Sequence, residues 1–505
     1  MANTPAGPAI EIPDRAWMVW AAGINIMFAL TRVLALRHSP LDLLPDEAQY
    51  WSWSRHLAFG YFSKPPLIAW LIRATTDIAG DDEWAVRLSA PLIHAATGIV
   101  IAFAGKAMFN ARIAFFSALL YATLPGVSFS ALVISTDVPL LFFWAVALLA
   151  TWRILDGAGW PWAAALGAAF GLGFLSKYAM GYFLLGFAAY ALATPSARLR
   201  TAAPRLGVAA MLAALIVAPN LAWNAAHGWA TVGHTAANAD WGQGGAHLLE
   251  TASFAAAQFG VFGPVLLVAL IVRLALWRRD PPSGAERYLL AFSAPILVLM
   301  IVQSGISRAH ANWAAVSYIA ATLLVVAWLD RLRKSWPVRL ALALQFSAFA
   351  AFTVMFANGA EPRPPWLSIE LCKSLDIFHQ MRGWKPLAND VYRRMDTMPP
   401  DASAAADDRE VMAELDYNLR GRDFPLLMAT GGGPPGNQYE LQDPVTRATG
   451  AHVLLIARYK DRADILDRYD RHALTDEWSI SIGPGRSRRY FVYELTGFNG
   501  SQAER

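Results

Sequence analysis

Cysteine and charge are what this chain has least of. Its single cysteine, Cys372, excludes a disulfide within one chain and any cysteine-based metal site. Only 16% of its 505 residues are charged while 56% are hydrophobic, and the mean hydropathy is +0.34, which excludes an ordinary soluble globular domain. No Gly-Lys-Ser/Thr closes the glycine run in "ATGGGPPGNQYEL" and no helical pattern follows it, so it reads as a tight loop after a strand rather than a nucleotide cradle. Asp14 and Arg15 precede the first apolar run in place of a basic n-region, and no small-residue cleavage pattern follows. That run, Trp17 to Leu36, therefore reads as a retained helix, not a signal peptide. No internal repeat is visible, which weakens an inverted-repeat transporter. The formal charge of +4 is largely topological and points to no nucleic-acid partner.

What is abundant is apolar sequence in runs of roughly twenty residues, the length a helix needs to cross about 30 Å of hydrocarbon. Roughly eleven such runs predict an α-helical polytopic membrane protein. After the first, they fall near residues 86–105, 112–132, 137–153, 160–176, 179–194, 206–222, 253–276, 288–304, 311–329 and 338–357. Every second loop is basic: Lys106 and Arg112; Arg153; Arg198, Arg200 and Arg205; Arg278, Arg279 and Arg287; Arg331, Arg333, Lys334 and Arg339. Positive charge is retained in the cytoplasm, so the opposite face holds residues 37–85, the turn "STDVP", the junction at Lys177, the loop 223–250, "SGISRAHANW" and everything after 357. Residues 1–358 form the expected transmembrane domain, with 37–85 as its first outer loop. Residues 359–505 form an extramembrane α/β domain of roughly 145 residues, with strands at "FPLLMAT", "HVLLIARY" and "RRYFVYEL" and a helix over 403–416.

The unusual charges cluster on the outer face. In "LLPDEAQYWSWSRHLAFGYFSKPPLIAWLI" an acidic pair, Asp46 and Glu47, follows the first membrane helix and precedes Lys64. Read alone, Pro-Asp-Glu is a helix start, with Asp46 as cap and Glu47 complementing the macrodipole. Around it stand Trp20, Trp51, Trp53, Trp70 and Trp84 with Tyr50, Tyr61 and Phe62, residue types that seat interfacial helices at a membrane surface. Such a loop would hold a carboxylate at headgroup depth, and Lys64 could meet a phosphate as a point charge. Asp137 in "LVISTDVPLLFF", Lys177 and Tyr178 in "GLGFLSKYAMGYF", Arg308 and His310 in "SGISRAHANW", and Asn220, Asn224, His227 and His234 in "PNLAWNAAHGWATVGH" share that face. Each has a bland reading as a cap or a snorkelling charge. Together they suit a lipid-linked phosphate and a reaction that needs a base.

Taken in order, "PDEAQYWSWSRHLAFGYFSKPPLIAWL", "STDVPLLFFW", "GLGFLSKYAMGYF", "PNLAWNAAHGWATVGH" and "RAHANWAAVSYIA" resemble the bacterial glycosyltransferases of the protein mannosyltransferase superfamily, which have the GT-C fold. The nearest named relatives are lipid A aminoarabinose transferases and galacturonosyl or related lipopolysaccharide transferases. "GWKPLANDVYRRM" and "GNQYEL" look like the extramembrane tail of one bacterial branch. The resemblance implies a polyprenyl-phosphate sugar donor, transfer with inversion to a glycolipid or polysaccharide acceptor, and an active site on the periplasmic side of the inner membrane. It also implies roles: Asp46 as general base with Glu47 beside it, Asp137 as a second acid, Lys64, Lys177 and Arg308 on the donor phosphate. Tyr50, Tyr61, Tyr178, His227 and His310 are expected around the substrate. Gln49 stands where aminoarabinose transferases carry an arginine before the tyrosine, which argues against that sugar. No cofactor is required; a divalent metal stays open, since Asp46, Glu47, Asp137 and the histidines could ligate one. A lipid-linked sugar flippase and a protein O-mannosyltransferase are the competing readings, and the tail is expected to cover the pocket or position the acceptor.

Overall fold

The structure, a computed structural model, describes residues 12–239, 247–307, 309–359, 376–483 and 485–500. Two compact units divide the chain. One gathers Met1–Leu34, Leu88–Ala225 and Thr235–Thr353; the other gathers Ala35–Arg87, Ala226–His234 and Val354–Arg505.

The first unit is helical, as its apolar runs require. Among the described residues, six helices are long and apolar enough to cross a membrane: Asp14–His38, Glu83–Met108, Asp137–Leu155, Ala197–Ala226, Gly284–Ile306 and Trp336–Ala357. The chain is thus a helical, multi-pass membrane protein. The run expected as one helix over 253–276 is instead two, Leu248–Phe262 and Pro264–Ala275, bent by 114°. Pro264 has no N–H for the ladder, and Gly263 takes φ +86°, a left-handed conformation open to glycine. The run 112–132 is likewise divided, by Pro125, into Ala111–Thr123 and Pro125–Ser130.

Burial sorts these helices. In Asp137–Leu155, 78% of the apolar window is enclosed, whereas Ala197–Ala226 and Trp336–Ala357 enclose 22% and 17% and leave their apolar sides to lipid. Gly98 lets Asp14–His38 approach closely, since a Cβ there would lie 1.9 Å from the Asn25 amide oxygen. Arg32, buried in the same unit, donates through Nη2 to the Ala122 carbonyl (2.6 Å), one of those left open at the end of Ala111–Thr123.

The second unit is built on a five-stranded sheet in the order β2-β1-β3-β5-β4. The strands are β1 (Ser403–Ala406), β2 (Leu426–Met428), β3 (His452–Ala457), β4 (Tyr469–Gly483) and β5 (Arg486–Phe498). β1 runs parallel to both neighbours, while β5 pairs antiparallel with β3 and β4. The helix expected over 403–416 is instead β1 followed by the helix Arg409–Asn418. "SAAA" has good helix propensity, but all four residues are buried between two strands, where tertiary packing overrides it. A short helix, Gln438–Gln442, capped by Asn437, follows the glycine loop where no helix is expected.

Residues 35–87 belong to this unit and form the helices Pro45–Arg55, Leu67–Ala79 and Glu83–Arg87. Several aromatics expected at the membrane interface are core residues here. Trp53 stacks on Tyr61 with ring centroids 4.6 Å apart, and Trp51 donates to Asp81 (2.8 Å) with its ring edge-on to Tyr417. Trp51 Nε1 and the Tyr61 hydroxyl find protein partners, which permits their burial, whereas Trp53 Nε1 makes no hydrogen bond among the described residues.

Candidate active site

Asp46 and Glu47 begin the helix Pro45–Arg55, and their side chains part company at once. Glu47 is 1% exposed. Its Oε2 accepts from the Leu44 backbone N–H (2.9 Å), while Arg87 closes on it through Nη2 (2.7 Å) and Nε (3.0 and 3.1 Å to the two oxygens). Arg87 also donates to the carbonyls of Leu41 and Asp42, so one guanidinium ties three points of the segment 41–47. The cap expected of Asp46 is therefore made by Glu47, at the third helical position. Glu47 positions; its oxygens face a fixed guanidinium rather than solvent.

Asp46 points outward and is 58% exposed. Its Oδ1 accepts from Nη1 of Arg409 at 2.9 Å, and the same nitrogen donates to the Gln49 amide oxygen. Arg409 opens the helix Arg409–Asn418, whose cap, Asp408, accepts from the N–H groups of Glu410 and Val411. Burial opposes the Arg409 charge, but Asp46, with smaller help from Tyr50 and Glu410, raises the guanidinium pKa on balance.

Lys64 and His234 belong to this cluster. His234 is half-buried, its ring edge-on to Phe62 at 5.9 Å. Its pKa is lowered by burial, then by the charges of Lys64 and Arg409, against an opposing pull from Asp46. Phe62 is held by its N–H to the Gln438 amide oxygen (2.7 Å) and Tyr61 by its carbonyl to Thr231 (2.6 Å), which anchors the strap carrying Lys64.

The remaining expected residues sort by unit. Tyr61 is buried, its hydroxyl among Trp53, His56 and Ala58, so it braces the loop rather than lining a pocket. Burial pushes its phenol up to about 12. Tyr50 is buried against Trp53, and His227 is exposed. In the first unit, both oxygens of Asp137 are engaged, by Lys177 Nζ (2.7 Å) and Asn312 Nδ2 (2.6 Å). Tyr178 donates to Asn220 (2.9 Å) and accepts from Asn224 (3.1 Å), and His310 lies edge-on to Trp313. Arg308 lies outside the described residues. Among the described residues no group of three His, Cys, Asp or Glu side chains could hold a metal ion.

Arg409, Arg87 and Asn312 are absent from the expected set. Asn312 stands beside the quoted "RAH", but nothing local marks Arg87, or Arg409, which lies 363 positions from Asp46.

An exposed carboxylate with a lysine, an arginine and a histidine in electrostatic reach is an arrangement suited to an anionic substrate, and the chain that carries it is a multi-pass helical membrane protein. The family model described as dolichyl-phosphate-mannose-protein mannosyltransferase matches residues 63–223. The lipid A galacturonosyltransferase RgtD of Rhizobium johnstonii is 36% identical over 422 residues, covering 83% of this chain and 86% of that protein. The undecaprenyl phosphate-alpha-4-amino-4-deoxy-L-arabinose arabinosyl transferase 1 of Pseudomonas fluorescens is 27% identical over 219 residues, 40% of each. The crystal structure of ArnT from Cupriavidus metallidurans bound to undecaprenyl phosphate superposes with a TM-score of 0.63 at 16% identity, over 97% of this chain and 100% of that one. The chain belongs to the bacterial GT-C glycosyltransferases of the lipid A-modifying branch.

Proposed function

We propose that this protein transfers a monosaccharide, with inversion, from a polyprenyl-phosphate donor to lipid A, and that the sugar is galacturonic acid. The observation that carries the chemistry is the exposed Asp46 with Lys64, His234 and Arg409 around it. An acceptor hydroxyl attacks the anomeric carbon, its proton passes to the Asp46 carboxylate, and the bond from that carbon to the phosphate oxygen breaks. The polyprenyl phosphate leaves with the electron pair, and Lys64 faces the charge that develops on it. The leaving phosphate needs no general acid. The 36% identity to RgtD supports both sugar and acceptor. Glu47 supports Asp46 without exchanging protons. In the membrane unit we assign Lys177 to a lipid phosphate and Asp137 to holding it there.

We place Asp46 and the sheet-bearing segment after residue 358 on the periplasmic side of the inner membrane, with eleven crossings. The basic loops support that orientation, and the count takes the bent pair as one span and includes the shorter helices Ala111–Thr123, Trp160–Ser176, Tyr178–Leu192 and Ser317–Arg331.

The test is transfer of labelled sugar by the purified protein across a panel of polyprenyl-phosphate sugars, with lipid A and a serine/threonine-rich peptide as alternative acceptors. Labelled lipid A with inverted anomeric configuration is expected. Transfer to the peptide alone would replace the acceptor, and no transfer from any donor would overturn the reading.

A further inference from the structure

We propose that Arg409 is the residue that reads the sugar's carboxylate, on its Nη2–Nε edge, and that this binding loosens the hold of its Nη1 on Asp46. The inference rests on a uronic acid being the sugar.

The acidic neighbours of Arg409 are already committed. Asp408 caps the helix, and Glu410 is held by Arg458 at 2.7 Å. The Arg409 guanidinium instead reaches out of its own domain segment to Asp46 and Gln49, using Nη1 for both. Among the described residues, its Nη2 and Nε make no hydrogen bond. A guanidinium bonded through one nitrogen retains an edge that fits a planar carboxylate in two parallel bonds, a geometry an ammonium cannot offer. At 33% exposure it is open to a ligand, and the carboxylate now on it is itself the group that must accept a proton.

Binding and activation then become one event. A uronate carboxylate arriving on the Nη2–Nε edge shares the guanidinium's charge with Asp46, which loosens the Asp46 bond to Nη1 and frees that carboxylate to meet the acceptor hydroxyl. A neutral hexose makes no such contact and leaves Asp46 tied. The site therefore discriminates at carbon 6 of the sugar twice, by binding the carboxylate and by freeing the base.

The experiment compares polyprenyl-phosphate galacturonate with polyprenyl-phosphate galactose, which differ only in carboxylate against hydroxymethyl at carbon 6, in the wild type, Arg409→Gln and Arg409→Lys. The readout is the ratio of kcat/KM for the two donors onto lipid A. Wild type should favour the uronate, and Arg409→Gln should collapse the ratio by roughly 10- to 100-fold, the worth of a charge-assisted pair. Arg409→Lys should fall between, and the galacturonate rate of Arg409→Gln should fall by more than its galactose rate. An equal fall in both rates would make Arg409 a positioning residue for Asp46 only, and unchanged rates would remove it altogether; either overturns the proposal. A wild type that prefers galactose overturns the uronate assignment and this inference together, whereas no transfer at all from either donor is the failure of the proposed function. Should Arg409→Gln not fold, Gln49→Leu, which removes one of the two partners of Nη1, must shift the same ratio by a measurable factor.

Discussion

Replacing Glu47 with glutamine preserves the volume of the side chain and strips the counter-ion from Arg87, while the same change at its neighbour, Asp46→Asn, alters a carboxylate in water. The two should fail in opposite ways. Glu47 and Arg87 are each 1% exposed and meet at 2.7 Å, so removing one charge strands a buried guanidinium, at a cost of about 3–5 kcal/mol. The amide keeps one acceptor oxygen, which places Glu47→Gln near the lower end, about 3 kcal/mol. Asp46 is 58% exposed and its ion pair with Arg409 contributes at most about 1 kcal/mol. In its proposed role as proton acceptor it would contribute about 10²- to 10⁴-fold in rate. The assay is paired: initial rate of sugar transfer by detergent-purified protein, and the midpoint of thermal unfolding followed by tryptophan fluorescence. Asp46→Asn should lose at least about 100-fold in rate with a midpoint indistinguishable from wild type. Glu47→Gln should lower the midpoint clearly and, assayed well below it, retain most of the rate. A Glu47→Gln protein as stable as wild type and as slow as Asp46→Asn would make Glu47 the reacting carboxylate and refute the division.

Two further outcomes are expected. Glu414, buried in Arg409–Asn418 with Oε1 unpartnered, has its pKa raised well above the ordinary value by burial, then by the charges of Asp42 and Glu47. Its folded pKa exceeds the unfolded one, so stability present in acid is lost as pH rises from about 4.3 through the raised value. Glu414→Gln should therefore stabilise by about 1–3 kcal/mol at pH 8 and by nothing measurable at pH 4, read as unfolding midpoints; equal midpoints at pH 8 would sink the assignment. In the membrane unit, Lys177→Met leaves Asp137 with Asn312 alone and should destabilise, and adding Asp137→Leu should restore the midpoint. If Lys177 holds a phosphate, the double variant still shows a donor KM raised about tenfold or more; a wild-type KM would make the pair purely structural.

The legible part of this protein is the part that obeys one-dimensional rules. Apolar run length makes the membrane helices readable, and strand-length runs make β2, β3 and β5 readable. β1 is not, because four small residues with helix propensity become a strand only between two neighbours supplied from elsewhere in the chain. The bend at Gly263 is written locally, in Gly-Pro, but a span long enough to cross conceals it. Asp46 and Lys64 are readable as charges out of place in apolar surroundings. Their chemical partners are not: Arg409 lies 363 positions from Asp46, in a helix whose own composition is ordinary for a soluble domain.

The acidic pair shows why adjacency in sequence misleads about function. Successive residues on a helix point about 100° apart, so of two neighbouring carboxylates at a helix start only one can face the core. The residue at the third helical position is the one within reach of the free N–H at the cap, and here it is Glu47 that turns back to Leu44 and inward to Arg87. Asp46 is thereby directed outward on a helix whose first turn cannot swing, because the carboxylate beside it is locked to Arg87, which in turn grips the carbonyls of Leu41 and Asp42. One carboxylate is committed to rigidity, and the other, exposed, is the one the proposed mechanism uses to accept a proton. A fixed direction is what a general base needs, since proton transfer depends on a hydrogen-bond approach that a loose side chain samples only part of the time. On the proposed mechanism the dipeptide supplies an anchor and a base, and exchanging the two residues, Asp46→Glu with Glu47→Asp, should lower both the unfolding midpoint and the transfer rate even though the charge is unchanged.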